Sequence, residues 1–174
     1  MNENDVAFMQ LALKEAEKAG QKHEVPIGAV IVADSGELLS AAHNLTIHYG
    51  DPTAHAEILA VREAARKVGN YRLLNTTLYA TIEPCIMCMG AIIHARVSRV
   101  VFGANDFKWG ALGSLYNFAD DMRFNHQPEI TAGVCREEAR HLIQSFFRAR
   151  RNDRANSASM TESETEPSEP IYTK

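Results

Sequence analysis

The stretch TTLYATIEPCIMCMGAIIHARVSRVVFG, residues 76–103, decides how this chain folds. Its first seven residues, TTLYATI (76–82), are mostly β-branched or aromatic, side chains that suit a pleated, half-buried surface. Pro84 then brings the fixed φ that opens a helix, expected over residues 85–95. SRVVFG (98–103) follows as a second strand, and its unbroken apolar run points to burial on both faces. A strand, a helix and a strand joined by short links imply a right-handed crossover between parallel neighbours.

Upstream, residues 4–19 read as an amphipathic helix with Phe8, Met9, Ala12, Leu13 and Ala16 on one stripe, Asn4 or Asp5 as its cap and Gly20 as its stop. VPIGAVIVA (25–33) and ELLSAAHN (37–44) flank Asp34-Ser35-Gly36, a hairpin signal between two β-rich runs. A polar loop leads to a second helix that turns Ile58, Leu59, Val61, Ala64 and Ala65 inward and ends at Gly69-Asn70. Downstream, the Gly-rich ANDFKWGALGS (104–114) and the residues up to 135 show no clear period. CREEARHLIQSFFRARR (135–151) is a last amphipathic helix with Leu142, Ile143, Phe146 and Phe147 inward. The sum is an α/β protein, a three-layer α/β/α sandwich around a mixed sheet of about five strands.

A chain of 174 residues, 45% of them apolar, is one domain with a core of its own. No run approaches the roughly 18 apolar residues of a membrane span. MNENDVAFMQ lacks the basic and apolar regions of a signal peptide, so a cytoplasmic protein with no membrane partner is expected. Three cysteines do not make a disulfide framework; the two in PCIMC suit a metal or redox site, and Cys135 is expected to be buried and inert. The net charge of −4 hides an uneven distribution. Residues 155–174 hold four Glu against one Lys and are rich in Ser, Thr and Pro, so the domain is expected to span 1–154, followed by a disordered acidic tail.

DPTAHAEILA (51–60) sets His55 and Glu57 at the start of the second helix, and EPCIMC (83–88) sets Cys85 and Cys88 at the start of the next. Cysteines three apart on a helix share one face and can grip a single ion. Residues two apart in mid-helix differ by roughly 200° around the axis, so His55 and Glu57 converge on one site only at a helix tip. His55 then supplies a nitrogen ligand beside two thiolates, and three protein ligands leave a fourth tetrahedral position for water, the arrangement of catalytic zinc. Two thiolates already cancel the dication, which leaves Glu57 free to act as a base. Hydrolytic deamination of an aromatic amidine carbon is the chemistry that such a set performs. A thioredoxin-like redox pair would not need His55 and Glu57, and a structural zinc would want a fourth side chain that His94, three turns along and expected to be packed, cannot supply.

H-A-E followed after 26 residues by P-C-x-x-C is recognised as the motif of the zinc-dependent nucleobase deaminases. EVPIGAVIV, HNLTIHYGDPTAHAEILA, LYATIEPCIMCMGAIIHARVSRVVFGANDFKWGALGS, FNHQPEITAGV and FFRARR extend the likeness to residue 152. They resemble the bacterial tRNA-specific adenosine deaminases of the cytidine and deoxycytidylate deaminase superfamily. That resemblance implies conversion of a wobble adenosine to inosine in a tRNA anticodon stem-loop, with one Zn²⁺ per chain, and a homodimer whose sites are built partly across the interface. It also implies that Asn44, Ala56 and Asp106 touch substrate. Phe107 and Trp109 are bulkier than the resemblance leads one to expect in their loop, and are candidates for base stacking. Arg148, Arg150 and Arg151 in FFRARR exceed what a helix dipole needs and are expected to meet phosphates. A free-base or nucleoside deaminase shares the same zinc core; a noncatalytic zinc adaptor would have no use for Glu57.

Overall fold

Five strands, β1 (Gly28–Ala33), β2 (Leu38–His43), β3 (Thr76–Ile82), β4 (Arg99–Ala104) and β5 (Glu129–Ala132), form one sheet in the order β2-β1-β3-β4-β5. Among the described residues, five helices accompany them: α1 (Glu3–Gln21), the single turn α2 (Thr46–Tyr49), α3 (Ala56–Val68), α4 (Ile86–Ala95) and α5 (Arg136–Ser163). This computed structural model describes residues 3–163, with side chains described as far as Asp153. β1 runs antiparallel to both β2 and β3, while β3, β4 and β5 are mutually parallel, so the sheet is mixed. The stretch 76–103 is the β3-α4-β4 crossover that its pattern implies.

Period-two alternation sends the two sides of each central strand into different cores. Ala29, Ile31, Leu78, Ala80, Val100 and Phe102 pack with Ala56, Ala60, Met89 and Ile92 of α3 and α4. Val30, Val32, Tyr79 and Val101 face Met9, Ala12 and Leu13 of α1 and Ala139 of α5. Burial on both faces explains the near-continuous apolar runs of β1 and β4. Gly28 permits this layering, because a Cβ there would run into the Ala12 carbonyl of α1.

One ion pair ties the second core together. The Arg99 guanidinium of β4 donates to both Asp5 oxygens at 2.8 and 2.9 Å, and the Tyr79 hydroxyl of β3 donates to Asp5 at 3.0 Å. Asp5 is the buried start of α1, so the pair fixes that helix against the two central parallel strands.

The structure departs from the sequence pattern at several places. α2 interrupts the expected polar loop, held by the fully buried Glu24, whose carboxylate accepts from His48 N at 2.8 Å and Thr46 Oγ1 at 3.1 Å. β5 is only four residues long, too short to show a period, and depends on pairing with β4. α5 continues past 151 to Ser163, because residues 152–166 contain neither Gly nor Pro to stop it. The expected boundary at 154 therefore falls inside α5, and the rest of the tail, 164–174, lies outside the described residues. Phe147 is exposed rather than inward, and His94 is exposed rather than packed, since α4 turns that side away from the sheet. Cys135 is half-buried at the N-terminal edge of α5 with φ 52°, not fully enclosed.

Candidate active site

α3 and α4 follow β2 and β3 on the same face of the sheet, and their N-terminal ends meet. His55 is the N-cap of α3 and Cys85 the N-cap of α4, with Cys88 in the first turn. His55 Nδ1 lies 3.7 Å from Cys85 Sγ and 3.5 Å from Cys88 Sγ, and the two sulfurs are 3.6 Å apart. A tetrahedral zinc with its usual Zn–S and Zn–N distances needs S–S and S–N edges of about 3.8 and 3.6 Å. The triangle fits that ion. Among the described residues, this is the one group of three or more such side chains whose donor atoms converge to hold a metal.

A histidine is a poor N-cap, and His55 makes no capping hydrogen bond with its side chain. The cap comes instead from Asn44, just beyond β2, whose Oδ1 accepts from the Ala56 N–H at 2.9 Å. The imidazole is thereby released to face the sulfurs. Among the described residues no protein acceptor takes the Asn44 NH₂ group, so that end of the amide is available to a ligand.

The electrostatics of the cluster call for a cation. Donation from Cys88, then from the nearby His55, lowers the Cys85 thiol to about 4 against the cost of burial. Beside that thiolate, and buried, Cys88 is pushed far up. Two thiolates form here only when a positive charge sits between them. Glu57, 4% exposed, is not a member of the donor triangle but lies beside Cys88. Burial, reinforced by the Cys85 charge, raises its carboxyl to about 7.

Sequence reasoning missed Glu83, which precedes the PCIMC motif and is 2% exposed. Its Oε1 accepts from Leu112 N at 2.8 Å and Ser114 N at 3.0 Å; its Oε2 accepts from Asp106 N at 3.2 Å, Asn105 Nδ2 at 3.3 Å and the Ser114 hydroxyl. Burial works to raise the Glu83 pKa, but the donors led by Ser114 hold it below the usual carboxylate value. The loop 105–114 is thus folded around one carboxylate and docked on the metal cluster: Gly110 forms an isolated antiparallel bridge with Cys85, and Ala111 N donates to Pro84 O at 3.0 Å. Gly110 has no room for a Cβ, which would come within 2.5 Å of the Asp106 carbonyl and the Glu83 carboxyl. An isolated acidic residue before a proline carries no sequence signal of this role; only the five hydrogen bonds it accepts, from four residues, reveal it.

The fold therefore gathers His55, Ala56, Glu57, Cys85 and Cys88, with Asn44 and the Asp106 loop beside them. Asp106 Oδ1 caps its own loop, accepting from Lys108 N at 2.9 Å and Trp109 N at 3.2 Å. Arg148, Arg150 and Arg151 are exposed at the middle of α5, with the Arg150 guanidinium 5.7 Å from the Phe146 ring centre, and no hydrogen bond joins them to the cluster.

The profile of the cytidine and deoxycytidylate deaminase zinc-binding region matches residues 2–104, which include every member of the cluster. The chain belongs to this deaminase family. Its cofactor is accordingly zinc, one ion per chain. The tRNA-specific adenosine deaminase of Haemophilus influenzae is 49% identical to this deaminase over 153 residues, covering 88% of each chain. The Bacillus subtilis enzyme of the same name is 49% identical over 144 residues, 83% of this chain and 89% of its own. A solved structure from work on A-to-I editing by tRNA:A34 deaminases at the wobble position superposes with a TM-score of 0.75 at 43% identity, covering 78% of this chain and 98% of that one. The guanine deaminase of Bacillus subtilis gives a TM-score of 0.55 at 38% identity over 60% of this chain and 66% of its own.

Proposed function

We propose that this deaminase converts the wobble adenosine of a tRNA anticodon to inosine by hydrolysis. The observation that carries the reading is the position of Glu57: buried, against the His55, Cys85 and Cys88 donors, and not itself one of them. The tRNA-specific relatives, similar over most of both chains, name the substrate.

His55, Cys85 and Cys88 would hold the zinc, which when bound would supply Lewis acidity to lower the pKa of water toward roughly 7. Glu57 takes a proton from water as the oxygen bonds to C6 of adenine and passes it to the ring nitrogen, then takes the remaining proton from the new C6 hydroxyl and passes it to the departing amine. The C6–N bond breaks, ammonia leaves and the carbonyl of inosine remains. Burial beside the donor triangle keeps Glu57 out of bulk water, where it holds a proton between the two transfers. Asn44 contributes its free NH₂ to the edge of the base, Ala56 meets the substrate at the tip of α3, where its N–H also holds the Asn44 oxygen, and Asp106 borders the RNA from the clamped loop.

Arg148, Arg150 and Arg151 meet RNA phosphates away from the chemistry. The enzyme works as a homodimer, for which the exposed apolar side chains Tyr71, Leu74, Leu115, Tyr116 and Met122 offer surface to cover. Cysteines joined by no disulfide, two of them the zinc ligands, suit a reducing compartment, the cytoplasm. No described helix is long and apolar enough to cross a membrane.

The test is to incubate the zinc-loaded protein separately with an anticodon stem-loop RNA, free guanine and cytidine, and to follow ammonia release and inosine. Only the RNA arm is expected to react, at the wobble base, and Glu57→Gln is expected to keep its zinc while losing several orders of magnitude in rate. Turnover of guanine without RNA editing would overturn the reading in favour of a free-base deaminase.

A further inference from the structure

Phe107 and Trp109 are 81% and 64% exposed, among the most solvent-exposed large apolar side chains described. Neither ring contacts another ring among the described residues. Yet their backbone is not loose. Trp109 N and Lys108 N both donate to Asp106 Oδ1, Asp106 N donates to the buried Glu83, and the next residue, Gly110, bridges directly to the metal-ligand candidate Cys85. Two large aromatic surfaces are therefore held open to solvent on a rigid mount one residue from the reaction centre, with the cation Lys108 between them.

An enzyme that acts on the edge of a base in RNA must draw that base out of its stack. The bases on either side then lose a stacking partner, and single-stranded RNA regains such contacts on aromatic side chains. We propose that Phe107 and Trp109 are a stacking platform for the unpaired bases that flank the target adenosine, with Lys108 against the intervening phosphate, and that they set which anticodon-loop sequences this enzyme accepts. This rests on the proposed RNA substrate. It explains why a loop folded by a buried carboxylate presents its largest apolar side chains outward, where burial in the core would otherwise be favoured.

Trp109 is the only tryptophan in the chain, so its fluorescence reads the platform directly. Zinc-loaded Glu57→Gln protein titrated with an anticodon stem-loop is expected to show quenching, and abasic substitution of the two flanking nucleotides is expected to abolish it. In the active enzyme, Phe107→Ala and Trp109→Ala should each raise KM by roughly 5- to 150-fold, the measure of one lost base–aromatic stack, with kcat at saturating RNA unchanged. Trp109→Phe should recover most of that loss. Absence of quenching, quenching that ignores the abasic sites, or alanine variants with wild-type KM would each overturn the proposal. So would a fall in sedimentation mass in the alanine variants, which would place the rings between two copies of the chain. If the wild-type enzyme makes no inosine in the stem-loop, the proposed substrate fails instead, and the titration still reads the stacking separately.

Discussion

The Asn44 side-chain oxygen caps the Ala56 N–H at 2.9 Å, so the residue before His55's loop does the work that His55, at the N-cap, does not. Asn44→Asp keeps an acceptor for Ala56, and a carboxylate is well placed at a helix N-terminus. It lacks the NH₂ group. The variant should fold and hold zinc with a melting temperature near wild type, while kcat/KM on stem-loop RNA falls roughly 5- to 150-fold for the lost contact to the base. Asn44→Ala should lose both, with about 1 kcal/mol of stability gone with the cap. A fully active Asn44→Asp would reduce Asn44 to a helix cap.

Cys88→Ala removes the buried corner of the donor triangle. Zinc content of the purified variant should fall to background. A chelator should lower the melting temperature of the wild type and leave that of the variant unmoved, because ligand-linked stability exists only where the ligand binds. Full zinc occupancy in a Cys85→Ala/Cys88→Ala protein would show that the metal is held elsewhere.

Asp5 links α1 to β4 through Arg99, whose donated hydrogen bonds hold the Asp5 carboxyl below the usual value. A depressed folded pKa contributes stability that is present above the unfolded pKa of about 3.9 and lost as pH falls through the lower folded value. Urea unfolding across pH 2–5 should therefore show a steeper loss of stability in wild type than in Asp5→Asn. Near neutrality the variant should be less stable by about 3 kcal/mol, since Arg99 is left without its buried partner. Equal slopes in the acid range would remove the pair from the account of what holds α1.

Replacing Arg148, Arg150 and Arg151 by alanine should weaken stem-loop binding and flatten its log-log salt dependence by about one to two units. Arg150 rests on the Phe146 ring, so part of its effect is expected to come from local helix packing. Zinc content should not change, because the arginines make no bond to the cluster. Wild-type affinity and slope in the triple variant would make FFRARR an ordinary helix end.

The metal cluster was legible in the sequence because both halves are short and local. H-A-E and P-C-x-x-C each sit at a helix start that a Pro announces, and thiols with an imidazole have few other uses at that spacing. The layers were legible for the same kind of reason: the apolar runs of β1, β3 and β4 and the period-3.6 patterns of α1 and α3 are properties of consecutive residues. What the sequence by itself determined is thus the donor set, the crossover that presents it and the mixed α/β architecture. Only the tertiary structure decided that Asn44 caps α3 from another element, that Glu83 folds the loop carrying Asp106, Phe107 and Trp109, and that EITA is an edge strand on β4. Each of these depends on one polar group or a few residues meeting partners 12 to 31 positions away, and no local period records such a meeting.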